Sequence, residues 1–172
     1  MFVDNYLKNH DKTIEDITRQ VDYSPRQIEN MAVITYPDDL LEALSEVTDK
    51  TIITILFELL MLENPGKVAD VTSKELLADA VQNQKAYIYI EDSVRTESSR
   101  LVNSVVSEKD TMGVELGSKG TVNILGEIIY QFQKMFDKDE KEFKDLKSKL
   151  RTYRVKLHGD RGSIIYRAEE MY

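Results

Sequence analysis

The 172-residue chain contains no cysteine, which excludes disulfides and thiolate metal sites and fits a reducing compartment. Its hydrophobic fraction of 41% and charged fraction of 31% are those of an ordinary globular protein, long enough for one good core or two small domains. A net charge of −8 argues against a protein held to nucleic acid by bulk positive charge.

That charge is unevenly spread. Residues 1–64 hold five Lys/Arg (Lys8, Lys12, Arg19, Arg26, Lys50) against thirteen Asp/Glu, whereas the 18 Lys/Arg and 18 Asp/Glu of residues 65–172 cancel. The opening MFVDNYLKNHDK lacks the basic and apolar regions of a signal peptide. The most apolar stretch, Ile52 to Leu62, is broken by Thr54 and Glu58 and is too short to span a bilayer. A cytoplasmic protein that does not enter a membrane is expected.

Phe2 to Asn9 reads as a first helix with Phe2, Val3, Tyr6 and Leu7 on one face. Thr13 caps a second, with Asp16 at the capping-box position and Ile14, Ile17 and Val21 along its apolar edge. After the corner Val21-Asp22-Tyr23-Ser24, Ser24 is the N-cap of a third helix, with Pro25 at its first position and Gln27 completing a second capping box. Helix, short turn and capped helix form a helix-turn-helix pattern, whose second helix enters a DNA major groove in proteins that use it. Ser24, Arg26, Gln27 and Asn30 are the candidate DNA-binding residues, the last three suited to base edges, while Glu29 would repel phosphate unless it met a cytosine.

Asp38 and Asp39 open a fourth helix carrying Leu40, Leu41, Leu44 and Val47. A fifth starts near Thr51 and carries Ile52, Ile55, Leu56, Leu59 and Leu60, some of which would remain for a dimer seam. Residues 1–64 are therefore expected to form an all-α helix-turn-helix domain of about five helices, ended by the turn in Leu62–Gly66, LENPG.

Residues 65–172 read as a small α+β domain. Val68 to Val71 is a strand, Thr72 or Ser73 caps a helix through Leu76, Leu77, Ala80 and Val81, and Lys85 to Glu91 alternates as a strand. This unit is consistent with a right-handed parallel crossover. Helices are expected over Thr96 to Val106 and Thr121 to Phe136, separated by the loop Gly113 to Gly120, and a charged helix over Asp137 to Lys149. Two strands, Leu150 to His158 and Ser163 to Ala168, close a C-terminal hairpin through Gly159-Asp160-Arg161-Gly162.

The hairpin gathers cations. Period-2 alternation puts Arg154, Lys156 and His158 on one face and Tyr153, Val155 and Leu157 on the other. Lys149 and Arg151 lead in, Arg161 lies in the turn, Arg167 lies on the partner strand, and Lys147 precedes them. Such a face, with Tyr153 and Tyr166 nearby, suits RNA or an acidic partner; the plainer reading is a solvated sheet face whose lysines blunt an edge strand. The glycines of GVELGSKG do not have phosphate-loop spacing. The two histidines, His10 and His158, lie in different domains, and no catalytic set or metal-ligand spacing stands out, so neither an enzyme, a metal nor a cofactor is expected.

Met1 to Asn64 resembles the N-terminal helix-turn-helix domain of type II-A anti-CRISPR proteins of Firmicutes phages and plasmids. The resemblance is carried by YLKNHDKT, TIEDITRQVDYSPRQIENM and ITILFELLMLEN, with Asp22 where the family has a turn glycine. It implies a dimeric domain that represses its own operon by binding operator DNA, fused to a second domain that inhibits the RNA-guided type II-A nuclease in the bacterial cytoplasm. The nuclease or its guide RNA would then be the partner of residues 65–172. The other reading is a dimeric phage or plasmid transcriptional repressor without nuclease-inhibiting activity.

Overall fold

A computed structural model describes residues 2–94, 140–159 and 162–171. The chain divides after Val68 into two compact units.

The first unit is all helical. Helix α1 spans Phe2–Lys8, α2 Ile14–Thr18, α3 Pro25–Asn30, α4 Asp38–Thr48 and α5 Ile52–Glu63. The amides of His10 and Lys12 donate to the Leu7 carbonyl and Asp11 takes a left-handed φ of 56°, which stops α1 and turns the chain. Aspartate tolerates that conformation better than most residues. Helix α4 ends in the same way, with Asp49 at φ 55°. Leu40, Leu41, Ala43 and Leu44 of α4 pack with Ile53, Ile55, Leu56, Leu59 and Leu60 of α5 in the core, while Val47 and Ile52 are half-buried. One element has no signal in the apolar periodicity: a 3-10 turn over Val33–Thr35, which buries Val33 and Ile34 beside Tyr36.

Polar groups tie α5 to the rest of this unit. The Tyr6 hydroxyl donates to Glu58 Oε2 (2.8 Å), and Lys50 donates to both Glu58 oxygens at 2.8 Å. Glu63 accepts from the Val33 amide (3.1 and 3.3 Å), which fixes the 3-10 turn to the end of α5.

The second unit combines helices with a four-stranded sheet. Strand β1 (Val68–Val71), α6 (Lys74–Gln82) and β2 (Tyr87–Glu91) are followed, after residues 95–139, by α7 (Glu140–Leu150), β3 (Tyr153–Gly159) and β4 (Gly162–Arg167). The strand order is β1-β2-β4-β3, so α6 links two neighbours and the C-terminal hairpin adds through β4. Strand β4 runs antiparallel to both β2 and β3, with Ile165 opposite Ile88 on one side and Val155 on the other. Enclosed on two edges, β4 buries Gly162 through Ile165 without a polar break except Ser163.

Leu77, Ala80 and Val81 of α6 and Leu146 and Leu150 of α7 pack with Val71, Ile88, Ile90, Tyr153 and Ile165 in one core. Leu76, expected on that apolar stripe, is 47% exposed because α6 turns Leu77 inward instead. The helices expected over residues 96–106 and 121–136, and the loop at residues 113–120, lie outside the described residues.

Two outcomes follow from this packing. Gly162 has φ 147°, and a Cβ there would press into the Ile90 carbonyl oxygen and lie 3.1 Å from the Tyr89 ring. Gly162→Ala should therefore lower unfolding stability by about 2 kcal/mol or more, read as a fall in the urea midpoint.

Three tyrosines make the fold sensitive to alkali. Burial, then the hydrogen bond and charge of Glu58, raise the pKa of Tyr6 above its usual 10.0. Burial, then the charges of Glu63 and Glu29, raise that of Tyr36. Burial pushes Tyr153 up to about 12, against the opposing charge of Arg167. Above pH 10.0 the unfolded chain releases these protons while the folded chain retains them, so stability falls as pH rises from there through the folded values. The urea midpoint should be lower at about pH 11 than at about pH 9, and a flat profile would contradict the assignment.

Candidate functional site

The strongest site candidate in the first unit is the pair α2 and α3 with the connection between them. Both helices are short, and both begin with a reciprocal cap. The Thr13 amide and hydroxyl donate to Asp16 Oδ2 at 2.9 and 3.0 Å, which holds the Asp16 carboxyl below its ordinary range. The Ser24 amide and hydroxyl donate to Gln27 Oε1 at 2.8 and 2.7 Å, and the Gln27 amide donates back to Ser24 Oγ at 3.3 Å. Helix α2 stops at Thr18, so residues 19–24 form the connection, longer than the corner read from the sequence. Asp22, placed where a turn glycine was expected, does not have a positive φ. The connection makes no left-handed demand on that residue, so the missing glycine costs nothing there.

The four residues expected to meet DNA do not stand alike. Ser24, Arg26, Gln27 and Asn30 are all exposed. Ser24 and the Gln27 carbonyl, however, are already engaged in the cap. Arg26 and Asn30 lie one turn apart on α3, and neither forms a hydrogen bond or ion pair with the described residues. Ile28 between them is fully buried and anchors the helix.

Glu29 departs from expectation. Rather than projecting toward a ligand, it is half-buried, and its Oε1 is shielded from solvent with no hydrogen-bond partner among the described residues. Its charge and that of Glu63 both act on Tyr36, whose hydroxyl donates to the Ile28 carbonyl at 3.3 Å.

The cations of this unit are mostly neutralised. Lys8 pairs with Asp4 (2.7 Å), Arg19 with Asp16 (3.7 Å) and Lys50 with Glu58 (2.8 Å). Lys12 adds its charge to the field around Asp16. Arg26, like Lys12, forms no salt bridge among the described residues.

In the second unit the basic hairpin is rearranged by a β-bulge. Val155 lies opposite Ile165 and Leu157 opposite Ile164, so Lys156 is the extra residue on β3. The alternation expected along this strand therefore breaks. Arg154 falls opposite Tyr166, and Leu157 shares that face, while the backbone of His158 falls opposite Ser163, on the side of Tyr153 and Val155. The bulge thus interrupts, at Lys156, the single face expected of Arg154, Lys156 and His158.

Individual groups are also engaged. Lys149 pairs with Asp145 (2.9 Å), whose carboxyl it holds below the ordinary range with help from Gln82. Arg167 pairs with Glu169 (2.7 Å) and donates to the Gln84 carbonyl (3.4 Å). Tyr153, expected near a ligand, is fully buried, and its hydroxyl donates to the Lys85 carbonyl (2.6 Å). Tyr166 is half-buried. Arg151 and Arg154 remain exposed at the corner between α7 and β3, where Arg154 Nη1 donates to the Arg151 and Tyr153 carbonyls (3.3 and 3.0 Å). Arg161 lies outside the described residues.

Among the described residues no group of three or more His, Asp or Glu side chains is placed to hold a metal ion. Among them, too, no helix is long and apolar enough to cross a membrane. Comparison of the chain with protein-family models, with curated proteins and with solved structures found no match.

The inward carboxylate of Glu29 has a measurable consequence. A buried acceptor without a partner costs about 1–3 kcal/mol. Glu29→Gln removes the charge at nearly constant volume and should raise stability by about 1 kcal/mol, read as a higher urea midpoint. A fall would overturn the reading of Glu29 Oε1 as an unpartnered acceptor.

Proposed function

We propose that the chain is an anti-CRISPR protein of a bacterial mobile element, acting in the host cytoplasm. Its first unit is an autoregulatory helix-turn-helix domain that binds operator DNA as a homodimer. Its second unit inhibits a type II-A RNA-guided nuclease, by contact with the protein or with its guide RNA. The nuclease assignment rests on the resemblance of residues 1–64 to the family domain. Regulation rests on one observation: in a unit rich in acid, Arg26 forms no salt bridge among the described residues and lies exposed on a reciprocally capped helix beside Asn30.

The mechanism of inhibition is binding, with no chemical step. An acidic unit meets few phosphates, so its hold on DNA must come from base contacts more than from counterion release. Among the described residues, Arg151 and Arg154 are exposed cations of the second unit that could meet a polyanion such as guide RNA. A second reading, a dimeric repressor without nuclease-inhibiting activity, is favoured by the ion pairs that engage Lys149 of α7 and Arg167 of the hairpin.

Expression of the full chain should protect a phage or plasmid from type II-A interference, and Arg151→Glu with Arg154→Glu should weaken protection. Loss of protection by wild type would leave the repressor reading. Independently, the chain should shift its own promoter DNA, with a slope of log affinity against log salt no steeper than about −4, because each neutralised phosphate contributes about −0.9.

A further inference from the structure

We infer that base reading by α3 is confined to Arg26 and Asn30, and that the element they read is a G·C pair and an A·T pair one or two steps apart. This rests on the DNA-binding part of the reading above and goes beyond it by naming what is recognised.

The argument proceeds by elimination along α3, which has six residues, Pro25 to Asn30. Pro25 carries no side-chain polar group. Gln27 suits adenine by chemistry, but its carbonyl oxygen accepts both the Ser24 amide and the Ser24 hydroxyl. Turning it toward a base would open the cap of a helix too short to lose it. Ser24 is held by the same pair of groups, donating to Gln27 Oε1 and accepting from the Gln27 amide. Ile28 is fully buried, and Glu29 turns inward with Oε1 shielded from solvent.

Two side chains are left, both exposed and both without hydrogen bonds to the described residues. Each has a matched base. The guanidinium fork of Arg26 donates two hydrogen bonds to guanine O6 and N7, and the amide of Asn30 accepts from adenine N6 while donating to N7. Residues four apart on a helix have Cβ atoms about 5–6 Å apart, and successive base pairs are about 3.4 Å apart, so the two bases are neighbours or next neighbours. Each contact discriminates against a wrong base by roughly ten- to hundredfold. Two base pairs specify little, so an operator needs at least two such half-sites, one for each copy of the chain.

The test is selection of a randomised double-stranded DNA library on the full chain, followed by sequencing, with circular dichroism to confirm that each variant is folded. Wild type should enrich G and A one or two steps apart. Arg26→Ala should abolish the preference for G and keep that for A, Asn30→Ala should do the reverse, and Glu29→Gln should keep both. A G preference that survives Arg26→Ala, or a motif that depends on Gln27, would overturn the inference and leave DNA binding intact. No enrichment at all would overturn both the inference and the operator-binding reading.

Discussion

Helix α3 has six residues, too few for its backbone ladder to repay the cost of nucleation. It is held from outside the ladder. Ser24 and Gln27 satisfy each other's backbone and side-chain groups at its first turn, and Ile28 fixes it to the core. The orientation of every residue on α3 depends on that closure. With Ile28 inward and Gln27 engaged at the cap, Arg26 and Asn30 are the exposed side chains of α3 without a hydrogen bond to the described residues. One local hydrogen-bond exchange thus decides both that the helix exists and which groups it offers.

Elsewhere in this unit charge is handled by pairing. Lys50 sits on Glu58 beside the Tyr6 hydroxyl, and Lys8 and Arg19 have carboxylates one turn away. Exposed pairs of this kind add little stability. Their effect is to remove positive charge from a surface already short of it, which leaves Arg26 and Lys12 without a salt bridge among the described residues.

In the second unit strand β4 has the corresponding role. It joins β3 to β2, buries four consecutive residues and admits the Ile90 carbonyl against Gly162, where no Cβ fits. The bulge at Lys156 lets β3 follow β4 while shifting its side chains by one position. This shift disperses the cations that alternation would have aligned.

Much of the fold was legible in the sequence because its signals are local. Thr13 with Asp16 and Ser24 with Gln27 announce helix starts by spacing alone. Leucines and isoleucines at helical intervals mark α4 and α5, and the glycines at 159 and 162 mark the hairpin. The 3-10 turn over Val33–Thr35 had no such signal, since it is held by Glu63, thirty residues away in the chain.

The sequence by itself determined the element types, the helical character of the first unit and the concentration of acid there, since composition and spacing are properties of short stretches. Tertiary structure alone decided which groups are available. Whether Glu29 is exposed or half-buried depends on how α3 packs, and whether Arg154 and Lys156 keep a regular alternation depends on one extra residue in the pairing with β4. Such outcomes depend on contacts between distant segments and on register, and no local pattern encodes either.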